Sequence, residues 1–257
     1  MKFSIVTPSF NQGRYVRDCL ESVRSQTGAE WEHLVIDAAS TDGTLDVIKT
    51  YPHVNWVSEP DRGMSDGINK GFKKATGDWV MWLNTDDYLL PGTLARVARH
   101  AEENPTADVI YGDCVFVDEN KKVLRRKHDH RFDFSILLFY GCYIASTSTF
   151  IKRSVIEAGH LLDVAYRNCM DFEYYLRLSS LGFRFSYVPE VLAAFRWHAT
   201  NTSTQHAGRR HEERLAIQRH YLKGRRRAAL GSGLFLSLLK RVYQGKRLVL
   251  RGLTRHV

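Results

Sequence analysis

The chain has 257 residues, an ordinary apolar content of 44% and a formal net charge of +9. That suits one large domain or a domain with an appendage, and no run of about 20 apolar residues provides a membrane-spanning helix. The charge is lopsided: from Asn201 onward lie 14 Lys and Arg against two acids, so a mildly acidic body carries a strongly basic tail suited to an anionic surface, lipid or nucleic acid.

The first residues enter a strand directly, Phe3 to Thr7, without the long apolar core and small-residue cleavage site of a signal peptide. Four scattered cysteines, Cys19, Cys114, Cys142 and Cys169, lack metal or redox spacing and read as reduced thiols. After the first strand comes the polar loop Pro8 to Gly13. Tyr15, Val16, Cys19, Leu20 and Val23 then recur at helical spacing. A second strand, Trp31 to Ile36, ends at Asp37, and a short helix reaches Thr50. A third strand, Val54 to Val57, leads through Ser58 to Gly63 into a helix from Met64 to Ala75. A fourth, Trp79 to Leu83, is a charge-free buried run that turns abruptly polar at Asn84, Asp86 and Asp87. A helix over Thr93 to Glu103 and a strand over Val109 to Tyr111 follow.

This repeated strand-helix alternation predicts an α/β fold with a mostly parallel sheet. Each of the first four strands ends in a polar loop, and those loops must share one sheet edge, where ligands of open α/β sheets bind. Neither G-x-G-x-x-G nor G-x-x-x-x-G-K occurs, so the dinucleotide and P-loop readings are unsupported. The adjacent acids Asp86 and Asp87 admit two readings. They can hold a hard divalent cation on a diphosphate, or form a solvated turn before the next helix.

Beyond Asp113 the pattern changes. Val115 to Val117 and Lys122 to Leu124 read as a hairpin, Arg125 to Arg131 as a charged loop, Phe134 to Tyr140 as a helix and Thr149 to Ile151 as a strand. A helix opens at Asp171, two strands are expected over Phe185 to Val188 and Val191 to Arg196, and Trp197-His198 follow.

Five ordered motifs resemble the family 2 glycosyltransferases of the GT-A fold, in the form found in enzymes of bacterial O-antigen and exopolysaccharide synthesis. They are Ile5 to Gln12, Val35 to Thr44, Ser58 to Gly71, Asn84 to Asp87, which resembles the DxD metal motif, and Met170 to Leu178. The resemblance covers about the first 180 residues. It implies an inverting, metal-dependent transfer of a sugar from a UDP-, GDP- or dTDP-sugar to a glycan or lipid-linked acceptor. It implies a donor pocket of Pro8, Ser9, Asn11, Asp37, Asp66, Asn84 and Asp86. It also implies Mn²⁺ or Mg²⁺ on Asp86, Asp87 and His198, and Asp171 as the general base, kept ionised by the helix dipole. The chain departs from the family where Asn84 replaces the first Asp of DxD, where Ala38 replaces a second acid, and at Ile68. Arg196 is read as meeting a phosphate or a backbone carbonyl.

On this reading residues 1–203 form the transferase domain, 1–113 its donor half and 114–203 its acceptor half, with 204–257 a basic helical tail. The tail would place Leu230, Leu234, Leu238 and Val242 on one stripe beside Phe235 and Leu239. That suits the inner face of an anionic membrane, and hence a cytoplasmic, peripherally attached protein. The alternative is packing on the core or on a second subunit, so a homo-oligomer stays open. Competing functions are a silent nucleotide-sugar-binding module and a transferase with a protein or small-molecule acceptor. No nucleic-acid-binding motif accompanies the basic tail.

Overall fold

The computed structural model describes residues 1–201, 207–222 and 233–254, with side chains in the last segment from Leu238. In the first half, strands β1 (Lys2–Ser9), β2 (Glu30–Asp37), β3 (Val54–Ser58) and β4 (Trp79–Trp82) alternate with helices α1 (Val16–Arg24), α2 (Thr44–Lys49) and α3 (Met64–Lys74). A two-residue strand β5 (Tyr88–Leu89) and helix α4 (Thr93–Glu103) follow. The second half comprises β6 (Val109–Val117), β7 (Val123–Lys127), α5 (Phe134–Tyr140), β8 (Thr149–Lys152), α6 (Arg153–Glu157), α7 (Met170–Ser180) and β9 (Phe185–Arg196). Helices α8 (Ala207–Leu222) and α9 (Gly233–Thr254) end the described chain.

Among the described residues the strands form one sheet in the order β3-β2-β1-β4-β8-β6-β9-β5, with β7 paired to β6. β3, β2, β1 and β4 run parallel, and β8 runs antiparallel to both β4 and β6. The register aligns Ser9 with Asp37 and Asp37 with Ser58. These residues close one edge together, beside the loop that leaves β4.

Strand β4 shows why both faces must be covered. Trp79, Met81 and Leu83 enter one core with Phe3, Ile5, Leu94 and Val97. Val80 and Trp82 enter the other with Ile68, Phe72, Tyr174 and Tyr175. Side chains alternate along a strand, and a parallel strand buried on both faces is apolar throughout.

Several local expectations change. The strands expected at 109–111 and 115–117 are one nine-residue strand, β6. The two expected at 185–188 and 191–196 are one twelve-residue strand, β9. The β6–β9 register shifts on either side of Asp113, and Glu190 within β9 projects outward to Arg96 and Arg99. This irregularity interrupts the alternation from which a continuous strand is recognised. The charged stretch expected as a loop is in part strand β7, whose Val123 to Arg126 side chains are exposed. α6 and β5 are too short to leave a periodic signal.

The region beyond residue 203 contributes to the body. Ile217 and Leu222 of α8 are buried in the same core as Trp82 and Tyr175. On α9, the Tyr243 ring stacks on Phe139 at 4.9 Å. The buried Arg247 reaches Asp129 at 2.6 Å and lies 4.9 Å over the Tyr140 ring. Leu230 lies outside the described residues, as do the side chains of Leu234 and Phe235.

Helix α3 approaches β1 so closely that a Cβ on Gly71 would lie 2.2 Å from Val6 Cγ1. Val6 is fully buried and β-branched, so it cannot turn aside cheaply. Gly71→Ala should therefore destabilise the protein by about 1–3 kcal/mol, the usual cost of overpacking, despite alanine's better helix propensity. Urea unfolding measures this; a midpoint equal to or above that of the parent would contradict the close packing.

Candidate active site

A cleft of about 740 Å³ opens at the carboxyl edge of β1 to β4, within the size range of small-molecule sites. Its walls include Pro8, Ser9, Phe10 and Ala38 on one side, Asn84, Thr85 and Asp86 at the base, and Tyr166, Asn168 and Asp171 opposite. The β4 loop is pinned to β1 where the Thr85 hydroxyl donates to the Pro8 carbonyl at 2.6 Å.

Asp37 is fully buried and organises the edge from beneath. Its carboxylate accepts from the Ser40 amide at 2.9 Å, the Ser40 hydroxyl at 2.5 Å and the Ser58 hydroxyl at 2.8 Å. The cleft surface beside it is formed by Ala38. Asn11 adopts a left-handed backbone, with φ of 51°. Its amide donates to the Ser40 hydroxyl and its side-chain oxygen accepts from the Thr41 amide, both at 2.9 Å, so it fastens the first loop to the second. Asp66 pairs with Arg62 at 3.0 Å, which holds its carboxyl below the usual range.

The two adjacent acids have different environments. Asp86 lines the cleft and meets His198 Nε2 at 2.9 Å. The His198 ring is buried, its Nδ1 lies 2.8 Å from the Thr200 hydroxyl and its ring centroid 4.9 Å from that of Tyr15. Asp87 is fully buried behind them. It accepts from the Arg196 amide at 2.8 Å and from the Asn84 amide at 3.3 Å. Burial, and then the neighbouring Asp86 charge, push its carboxyl well above the ordinary carboxylate range.

Within the chain the Arg196 guanidinium meets a carboxylate, not the backbone carbonyl expected as one of its two alternative partners. The residue is buried, its guanidinium pairs with Asp18 at 2.7 Å, and it lies 4.7 Å over the Tyr15 ring and 5.6 Å over Tyr88. Burial pushes the Asp18 carboxyl up, but its bonds to Lys121 and Arg196 prevail and hold it below its usual value.

Asp171 stands in the first turn of α7, where its Oδ1 accepts from the Phe172 amide at 2.7 Å. The expected dipole effect does not dominate here. Burial raises the Asp171 carboxyl above the usual range, outweighing the bonds it accepts from the Phe172 amide and the Cys142 thiol and the nearby Lys127 charge.

Two side chains on the cleft wall escaped sequence reasoning. Phe10 is 60% exposed at the cleft, although an exposed aromatic beside a polar loop is itself a ligand signal. Asn201 lies 3.4 Å from Asp86 and also donates to the Arg196 carbonyl. Its distance in sequence from the acids leaves no local signal.

The edge-facing cleft, the acid loop and the acidic start of α7 define a glycosyltransferase of the GT-A fold. The chain belongs to glycosyl transferase family 2, whose model matches residues 4–159. It is 31% identical over 184 residues to a PGL/p-HBAD biosynthesis glycosyltransferase of Mycobacterium bovis, covering 69% of this chain and 70% of that protein. It is 27% identical over 212 residues to the hyaluronan synthase of Pasteurella multocida, covering 80% of this chain and 21% of the synthase. Among solved structures, S. aureus TarS 1–349 in complex with UDP-GlcNAc superposes with a TM-score of 0.70 at 19% identity, over 90% of this chain and 69% of that one. The mannosyltransferase PcManGT from Pyrobaculum calidifontis, solved with GDP-Man and Mn²⁺, gives 0.61 at 20% identity, over 85% and 63%. At such identities the likeness concerns the fold.

The separation of the two acids gives a direct test. Asp87→Asn keeps the acceptor for the Arg196 amide, and its new amide can donate to the buried, unpartnered Asn84 Oδ1 once Asn84 turns over. A raised folded pKa means that Asp87's contribution to stability is present below its unfolded value and lost as pH rises through the folded one. Asp87→Asn should therefore be at least as stable as the parent at neutral pH and keep transfer within about tenfold. Asp86→Asn should lose several kcal/mol of transition-state stabilisation. Thermal melts and initial rates decide; a dead Asp87→Asn beside an active Asp86→Asn would reverse the assignment.

Proposed function

We propose that the chain transfers a sugar from a nucleotide-diphosphate donor to a hydroxyl of a glycan or lipid-linked acceptor, with inversion. The observation that carries this reading is the sharing of one cleft by Asp86, backed by His198, and Asp171. The donor's base and ribose lie against Pro8, Ser9 and Phe10, on a wall that Asn11 and Asp37 hold in shape. Asn84 borders the same pocket, and Asp66 stands behind it, paired with the lining residue Arg62. The mycobacterial and Pasteurella relatives, and neighbours solved with UDP-GlcNAc and with GDP-Man, support a nucleotide-sugar donor and a polysaccharide or glycolipid product.

The chemistry of the Asp86–His198 pair suits Mn²⁺ or Mg²⁺. Among the described residues no three His, Cys, Asp or Glu side chains form a metal cage. A hard cation needs only one or two protein ligands when phosphate oxygens and water complete its shell. The Thr200 hydroxyl either accepts from or donates to His198 Nδ1, so Nε2 can present a lone pair toward the Asp86 side. When bound, the cation neutralises charge developing on the leaving diphosphate. Asp87, turned inward, supports the loop from behind.

Asp171 accepts the proton from the attacking hydroxyl, and its raised pKa brings it nearer to working pH, where a general base is most effective. It must be ionised to act, so turnover rises with pH through its raised pKa and levels off above it. The test is a screen of UDP-, GDP- and dTDP-sugars for nucleotide release, with Mn²⁺ and with excess chelator. Asp171→Asn should lower turnover by roughly 10²–10⁴-fold with donor affinity nearly unchanged and remove the acid limb of the pH profile. Full turnover in chelator would remove the metal from the reading, and equal losses of affinity and turnover would make Asp171 structural.

The same reading places the enzyme on the inner face of an anionic membrane. No helix among the described residues is long and apolar enough to cross one. On α9, Leu238, Val242, Val249 and Leu253 share one helical stripe and are 58 to 64% exposed, with exposed Lys240 and Arg241 at its start. Arg247 anchors the opposite side of the helix to the body. Apolar side chains among acyl chains and cations on headgroups, each worth about 1 kcal/mol near such a surface, suit a lipid-linked acceptor. Serine at Leu238, Val242 and Val249 together should abolish flotation of the full chain with anionic liposomes at low salt and leave its melting temperature within a few degrees. Undiminished flotation would reject the surface.

A further inference from the structure

Asp171 sits in the first turn of a helix, where an aspartate commonly serves the helix itself by accepting from exposed backbone amides. Here another residue accepts from the amides that precede α7. Glu213, on α8, turns its carboxylate to the chain entering α7. Its Oε2 accepts from the Asn168 amide at 2.8 Å and the Cys169 amide at 3.0 Å. Its Oε1 accepts from the Arg167 amide at 3.3 Å and from the Asn168 side chain at 3.1 Å. Cys169, the residue preceding α7, makes no side-chain cap of its own, and its thiol donates to the Arg210 carbonyl at 3.4 Å. Further along, the Tyr221 hydroxyl donates to Glu173 at 3.2 Å, and Gln218 donates to the Leu138 carbonyl at 2.6 Å.

We infer that Glu213 is a positioning residue for the transfer: from α8 it caps the start of α7 and fixes the Arg167–Asn168 wall of the cleft, so that the Asp171 carboxylate, bonded to the Phe172 amide beside it, is not needed to hold the chain that precedes the helix. An anion at a helix N-terminus is favourable in itself. Supplying it from a distant helix divides the work, so that one acid holds the backbone while the other faces the cleft. Tyr166, Arg167, Asn168 and Arg209 all line that cleft, so α8 shapes the acceptor side directly. The inference rests on the reading of Asp171 as the base.

The test uses the full chain with Glu213→Ala and Glu213→Gln, and Asp171→Asn measured in parallel. Hydrogen exchange follows the amides of residues 167–172. Calorimetry with UDP plus Mn²⁺ reports the donor side, and transfer is measured with the donor found in the nucleotide-sugar screen. Glu213→Ala should speed exchange at 167–169, lower the turnover of transfer by about 10–100-fold through a misplaced base, shift the acid limb of the pH profile, and change UDP affinity by less than twofold. Glu213→Gln keeps one acceptor oxygen but sets its amide against the Arg167 amide and the Asn168 side chain, so it should fall between Ala and the parent. Parent-like exchange and turnover in Glu213→Ala, beside an inactive Asp171→Asn, would overturn the inference alone. An active Asp171→Asn would overturn the base reading, and exchange at 167–169 would still report whether Glu213 caps the helix. Should Glu213→Ala fail to fold, Glu213→Gln decides by the same measures, and equal losses of UDP affinity and turnover in it would mark a merely structural residue.

Discussion

The site depends on a buried junction between the end of β9 and the loop after β4. The Arg196 amide donates to Asp87, its guanidinium pairs with Asp18, and the Tyr15 and Tyr88 rings cover it. A buried carboxylate and a buried guanidinium each cost several kcal/mol to desolvate, a cost that these partners offset in part. Removing any member would leave the others exposed to that cost. The junction therefore fixes two chain segments more than a hundred residues apart. His198, two residues beyond Arg196, is delivered to Asp86 as a consequence.

A division of labour between neighbouring acids recurs through the molecule. Asp87 supports while Asp86 faces the cleft, and Glu213 supports while Asp171 faces it. Asp37 lies under the donor wall, its oxygens taken by Ser40 and Ser58, while Ala38 forms the surface. Acids buried behind a site rigidify it only where every oxygen finds a donor, and the serines, amides and arginine here provide those donors. The acids on the cleft also have partners, His198 and Asn201 for Asp86 and the Phe172 amide for Asp171, but they line the open cavity.

Much of this was legible in the sequence for a physical reason. A parallel strand buried on both faces must be apolar throughout, so β4 announces itself, and the polar loops after β1 to β4 announce the shared edge. β3, an edge strand with Asn55 and Trp56 exposed, shows only as a short β-prone run. Orientation was not legible. Asp86 and Asp87 are neighbours of the same type, and only the fold turns one outward and the other in. The roles of Arg196 and Glu213 depend on partners 178 and about 45 residues away, beyond any local pattern. The dipole argument for Asp171 omitted burial, which raises its carboxyl and is the largest effect on it. The irregular β6–β9 pairing hid two long strands because it interrupts alternation where the register shifts.

The attachment of α8 and α9 to the body has a consequence for synthesis. The first half is built within one continuous stretch of about 80 residues: β1 pairs with β2 and β4, β2 pairs with β3, and one helix separates each of these strands from the next in sequence. The second half is completed by Glu213, Ile217 and Arg247, which are synthesised after the segments they pack against. Elements rich in local contacts form early, and those closed by distant ones form late. A nascent chain thus forms its β1 to β4 edge well before Glu213 can reach the start of α7. On the proposed membrane attachment, the segment that closes the body would also be the one that meets the lipid.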